Sequence, residues 1–269
     1  MSASIPITRE SDTARTIEHV VHAIESAPEG REPFFHLRLA AVLPDDIYAA
    51  MLEAMPVPAD YRPMSGRAKS SRNGAETDVR TKIDLLPEQI RLLPRAKRPV
   101  WQVVGDALTS APVREAFRKR LSPGLAERFG DEYTGVDMYP IPILTRDVAG
   151  YQIGVHPDTK WKGMTIQIYL PRDRSIEHVG TLFHRKSATP GQKYDRVSQV
   201  PFAPNSGYAF AVGKETYHSV DTVGPEVTTR DSILLTYFLD KTFVQVVQNR
   251  AKRLGNFLRA EIRSVGRSR

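Results

Sequence analysis

From Tyr133 to Asp240 the sequence is a succession of short alternating or β-branched runs, TGVDMYPI, GYQIGVH, GMTIQIYL, SGYAFAV, YHSV and DSILLTYFL, separated by Gly, Pro, Asn and Asp. Runs this short, broken this often by turn residues, are strands that bury one face and expose or line a cavity with the other. Together they make an all-β region of several antiparallel strands. This texture constrains the chain more than any other feature.

The first half reads differently. Ile17, Val20, Val21 and Ile24 recur at helical spacing after a cap at Asp12 or Thr13, and Ile47, Met51, Leu52 and Met55 do so after Leu43-Pro44-Asp45-Asp46. Between Pro87 and Arg128 apolar residues at helical spacing, interrupted by Pro94, Pro99 and Pro112, predict two or three more helices. Residues 61–80, YRPMSGRAKSSRNGAETDVR, are polar and basic and predict a long surface loop, either a lid over a site or plain disorder. Asp240 caps a final helix whose stripe Phe243, Val246, Val247, Leu254, Phe257, Leu258 and Ile262 must pack on the sheet or, in a homodimer, on a second subunit.

The expected fold class is therefore α+β, in one catalytic unit: residues 1–132 as mainly helical support, 133–240 as a β-barrel core and 241–269 as a basic C-terminal helix. The net charge of +7 resides in that last stretch, where eight Lys/Arg face Glu261 alone. The rest of the chain is balanced and has no basic-aromatic strand face, which argues against a nucleic-acid partner. No run approaches ~18 uninterrupted apolar residues and the N-terminus lacks a secretory pattern, so a soluble cytoplasmic protein without a membrane span is expected. With no cysteine in the chain, any metal must be held by imidazole and carboxylate.

Such a set is present. His156-Pro157-Asp158 puts an imidazole and a carboxylate two residues apart at the end of GYQIGVH, so that both project to the same side. His218, sixty-two residues on and again in a β context, supplies a third ligand, and two His with one Asp leave open positions on octahedral iron. On RDSILLTYFL, alternation puts Arg230, Ser232 and Leu234 on one face, where a guanidinium fork beside a hydroxyl suits a carboxylate. Thr165, Gln167 and Tyr169 alternate with Ile166, Ile168 and Leu170 and face either this cavity or solvent. Tyr151 and Tyr139 are packed core phenols or carboxylate-orienting groups. Lys160 and Trp161 border the pocket or sit on an exposed loop, His36, His178 and His184 have no partners at ligand spacing, and 184–200 is a polar insertion or a solvated hairpin.

In order and context, His156-X-Asp158, intervening strands, His218 and Arg230-X-Ser232 resemble the 2-oxoglutarate/Fe(II)-dependent dioxygenase superfamily, in its prolyl-4-hydroxylase-like branch. The resemblance spans roughly residues 133–240. It implies a double-stranded β-helix, a jelly-roll or cupin-like barrel with the metal at its open end and the helices of the first half packed on the sheet. It also implies Fe(II) on His156, Asp158 and His218, and 2-oxoglutarate with its distal carboxylate on Arg230 and Ser232, beside Thr165, Gln167 and Tyr151. O2 is then the second co-substrate, and hydroxylation of a substrate C–H accompanies formation of succinate and CO2. A small molecule such as an amino acid or natural-product intermediate is the expected substrate. The alternatives are a peptidyl, prolyl-type substrate, and a cupin-type metal enzyme or binding protein that does not use 2-oxoglutarate.

Overall fold

The computed structural model describes residues 7–64, 69–72 and 75–239. The helix expected over 241–269, with the homodimer its stripe suggested, lies outside the described residues, as does part of segment 61–80.

The first half runs α1 (Arg9–Glu25), β1 (Glu29–Gly30), β2 (His36–Leu39), α2 (Asp45–Glu53), β3 (Arg62–Pro63), β4 (Lys69–Arg72), β5 (Ala75–Asp78), β6 (Arg80–Asp84), α3 (Pro87–Ile90), α4 (Arg98–Thr109), α5 (Ala111–Arg120) and α6 (Ser122–Phe129). Helix α1 starts a turn earlier than expected because Asp12, inside the first turn, accepts the Thr8 N–H at 2.9 Å. The prolines that break the pattern between 87 and 128 open helices rather than interrupt them. Pro87, Pro99, Pro112 and Pro123 sit in first turns, where a missing N–H leaves no bond unmade. None of the described helices is long and apolar enough to cross a membrane.

The second half is β7 (Met138–Asp147), β8 (Ile153–His156), β9 (Lys162–Tyr169), β10 (Thr181–Lys186), β11 (Tyr194–Val200), β12 (Ser206–Ala211), β13 (Tyr217–Val220) and β14 (Arg230–Leu239). Among the described residues these strands lie in an eight-stranded sheet, β1-β2-β12-β9-β14-β7-β6-β3, and a four-stranded sheet, β11-β10-β13-β8. The chain alternates between the two as it advances. Strands β7 to β10 form one arm and β11 to β14 the other, each arm pairing antiparallel with the opposite one. That winding is the double-stranded β-helix.

Alternation sorts the side chains. Leu144, Ile166, Ile168, Ile233 and Leu235 face outward from the large sheet into a core shared with Val100, Trp101, Val103, Val104 and Leu108 of α4. Between the sheets a second, aromatic core gathers Tyr151, Tyr169, Phe183, Phe202, Tyr208 and Phe210. Thr165 and Gln167 of β9 and Arg230 and Ser232 of β14 are buried polar residues on the inner faces.

One expectation is corrected. The described residues of segment 61–80 do not form a plain loop. They carry β3, the paired β4 and β5, and the first residue of β6, which extends the large sheet by pairing with β7. The mainly helical half also contributes β2 and β6 to the barrel's own sheet. Segment 184–200 takes the hairpin alternative, β10 turning into β11 at the far edge of the small sheet.

Candidate metal centre and anion pocket

His156 ends β8 and His218 lies directly opposite it on β13, their ring centroids 4.5 Å apart. The turn after β8 brings in Asp158. One ligand atom from each of the three lies within 4.8 Å of the other two, the geometry of a two-histidine, one-carboxylate set.

The backbone chooses the tautomers. His156 Nδ1 lies 2.8 Å from the Gly154 carbonyl and His218 Nδ1 lies 3.0 Å from the Thr216 carbonyl. A carbonyl only accepts, so each Nδ1 carries the hydrogen and each Nε2 keeps its lone pair. Burial holds His218 below the usual histidine range, which favours the neutral ring that a metal needs. Burial would raise Asp158, but the Lys162 ammonium and a Thr165 hydrogen bond outweigh it and bring the carboxyl down to about 2. Lys162 Nζ lies 2.6 Å from one carboxylate oxygen and Thr165 Oγ1 2.7 Å from the other. Each oxygen has a further lone pair, so both bonds are compatible with coordination.

A cavity of about 330 Å³ connects this triad to Arg230. Arg230 opens β14 and is fully buried. Its Nε donates to the Val179 carbonyl at 2.7 Å, its Nη1 to Asp147 at 2.9 Å, and its Nη2 has no hydrogen-bond partner among the described residues. The guanidinium lies over Phe202, 4.8 Å from the ring centroid. The fork expected to take a carboxylate with both prongs is thus largely engaged by the protein, and one nitrogen remains.

Thr165, Gln167 and Tyr151 line the cavity as expected. Ser232 does not. It is fully buried behind Gln167, whose amide donates to its Oγ at 2.8 Å, and it pairs with Thr145 at 2.9 Å. Ser232 therefore orients Gln167 instead of touching a ligand. Tyr139 points away from the cavity and stacks on Phe238. Trp161 is half exposed and Lys160 exposed, outside the cavity wall, whereas Lys162 forms part of it.

Residues of the wall not anticipated from the sequence include Arg80, Tyr208 and Thr181. Tyr208 donates to Gln167 Oε1 at 2.9 Å, completing a chain from Tyr208 through Gln167 to Ser232. Arg80 donates to the Tyr151 hydroxyl and its Nε sits 3.0 Å from Asp147. Burial raises the phenols of Tyr151 and Tyr208, so both remain protonated donors at neutral pH. The one available signal for Arg80 was Asp147, a carboxylate closing the apolar strand MYPIPILTRD and in need of a cation.

No protein-family model matches the chain, and no curated protein matches it in sequence. Solved structures do. A prolyl-4-hydroxylase from Pseudomonas putida matches with 16% identity over 82% of this chain and 98% of that chain, at a TM-score of 0.48. An oxidoreductase of the 2OG-Fe(II) oxygenase family from Burkholderia pseudomallei matches with 15% identity over 76% and 84% of the two chains, at a TM-score of 0.47. The non-heme alpha-ketoglutarate-dependent epimerase SnoN from nogalamycin biosynthesis matches with 14% identity over 82% of each chain, at a TM-score of 0.41.

Proposed function

We propose that this chain is an Fe(II)- and 2-oxoglutarate-dependent oxygenase that hydroxylates a C–H bond of a small molecule. One observation carries the reading: a single cavity has two imidazoles and a carboxylate at one end and, at the other, a buried guanidinium with a nitrogen unpartnered among the described residues.

The donor set fits the metal. His156 and His218 through Nε2 and Asp158 through one oxygen would hold Fe(II) on one face and leave the opposite face open. Arg230 suits the distal carboxylate of 2-oxoglutarate, and the Tyr151 hydroxyl, which accepts from Arg80, still has its own hydrogen to donate there. Iron with 2-oxoglutarate and O2 supplies the oxidising power that replaces C–H by C–OH, with succinate and CO2 as co-products. The chain's own part is to orient and to exclude water. Gln167, fixed between Tyr208 and Ser232, presents a rigid amide to the middle of the cavity, and Thr165 and Lys162 hold the Asp158 carboxylate in one rotamer. A cavity of about 330 Å³ shared with the co-substrate supports an amino-acid-sized substrate over a long chain.

The test is anaerobic addition of 2-oxoglutarate to the Fe(II)-loaded protein. A weak visible charge-transfer band is expected, absent in His156→Ala and His218→Ala. Iron-loaded wild type with no band would reject 2-oxoglutarate as co-substrate and leave a cupin-type metal site.

A further inference from the structure

Arg80, Asp147 and Arg230 occupy one line across three adjacent strands. Arg80 on β6 and Arg230 on β14 both face Asp147 on β7, which lies between them in register. Asp147 and Arg230 are fully buried, and the side chain of Arg80 is 12% exposed. Two permanent cations therefore share one carboxylate. Burial raises the Asp147 carboxyl, and the two guanidiniums, which keep their protons at any working pH, oppose that shift and favour the anion.

Among the described residues, neighbouring charges do not settle the imbalance. Asp231 is bound by Arg146 at 2.7 and 3.1 Å, and Asp158 is paired with Lys162 at 2.6 Å. Each of those pairs is neutral. The Arg80–Asp147–Arg230 row keeps a surplus of one positive charge in a buried place, beside the unpartnered Arg230 Nη2. A buried surplus charge is expensive unless an anion meets it.

Resting on the function proposed above, we infer that these three residues form a receptor for the distal carboxylate of a 2-oxo dicarboxylic acid, with Arg80 as a positioning residue whose charge offsets Asp147, so that the row keeps a net positive charge for the ligand. Without Arg80, Asp147 and Arg230 form a neutral pair, and the unpartnered Nη2 donor has no net positive charge behind it. A monocarboxylic 2-oxo acid leaves the surplus unmet even with Arg80 in place, so the row selects dicarboxylates.

Calorimetric titration of 2-oxoglutarate and of 2-oxobutyrate into the Mn(II)-loaded protein tests this without turnover. Wild type should prefer the dicarboxylate. Arg80→Gln should lose about tenfold or more in 2-oxoglutarate affinity, with 2-oxobutyrate little changed. The double variant Arg80→Gln/Asp147→Asn restores the single surplus charge and should recover much of the loss, which a merely structural role for Arg80 would not produce. Arg80→Gln within about twofold of wild type, or a double variant no better than Arg80→Gln, overturns the inference while 2-oxoglutarate binding by wild type still stands. Should Arg80→Gln not fold, Asp147→Asn tests the row from the other side: with a second surplus charge the preference for 2-oxoglutarate must grow, and an unchanged ratio overturns the inference. Wild type that binds neither acid overturns the functional reading, and the inference with it.

Discussion

His218 illustrates how burial prepares a residue and also makes it a weak point. Burial depresses it from the ordinary value of 6.5, as it does His36 between Phe34 and Phe183 and His184 against Ser219. Below 6.5 the unfolded chain takes up protons on these rings that the folded chain refuses, so stability is lost as pH falls through that range. Asp158, brought down to about 2 from 3.8, contributes stability above 3.8 and loses it only on further acidification toward 2. The metal-free protein should therefore show a lower urea midpoint at pH 5.5 than at pH 7.5, and equal midpoints would mean that these rings reach solvent. At this scale the candidate metal set was legible, because the spacing of His156 and Asp158 and the β context of His218 are local facts. Arg80 was not. Its meaning lies in pairing with Asp147, and nothing near Arg80 in the sequence announces that register.

Strand β12 is pinned between β9 and β2, and Gly207 pairs with Ile168 of β9 on one side and Leu39 of β2 on the other. A Cβ there would stand 1.8 Å from the Gln167 carbonyl oxygen, so Gly207→Ala must push β12 off the strand that carries Thr165 and Gln167. A loss of about 3 kcal/mol is expected from such overpacking. In contrast, Gly154→Ala on β8, where a Cβ meets nothing within 4 Å, should stay within about 0.5 kcal/mol of wild type. Urea denaturation of the two variants checks both, and similar losses would mean that β12 has slack. Strands β9, β12 and β14 were readable because each alternates between an aliphatic outer face and a polar or aromatic inner one, whereas β10 and β11 lack that alternation and were not among the runs read as strands. Strand β6 was not. Its barrel face is Arg80, Lys82 and Asp84, and Ile83 is its one residue in the main apolar core, too little for a period to show.

On the scale of the whole molecule, the change of texture at Tyr133 suggests a helical half supporting a β half, but the two are not separable bodies. Strands β2 and β6 of the first half flank the barrel strands in one sheet, and the outer face of that sheet is the surface on which α4 buries Val100, Val104 and Leu108. The sequence implies one unit but could not place β2 and β6 in the sheet, since sheet membership depends on pairing between distant segments, whereas texture reports only on neighbours. A shared sheet means that exposing either half strips the other of its core, so unfolding should be one cooperative event. The two tryptophans report on the two halves. Trp101 is buried in α4, donating to the Ala54 carbonyl at 2.9 Å, and Trp161 stands half exposed beside the barrel mouth, its carbonyl accepting the Leu239 N–H. In Trp161→Phe the fluorescence of Trp101 follows the helical layer, and in Trp101→Phe that of Trp161 follows the barrel. Within each variant the fluorescence transition in urea should coincide with the far-UV circular dichroism transition, even though Trp101→Phe lowers the midpoint by removing a buried hydrogen bond. A Trp101 transition that precedes the dichroism in Trp161→Phe would show the helical layer leaving while the barrel stays closed, and the shared sheet would then not be what holds the halves together.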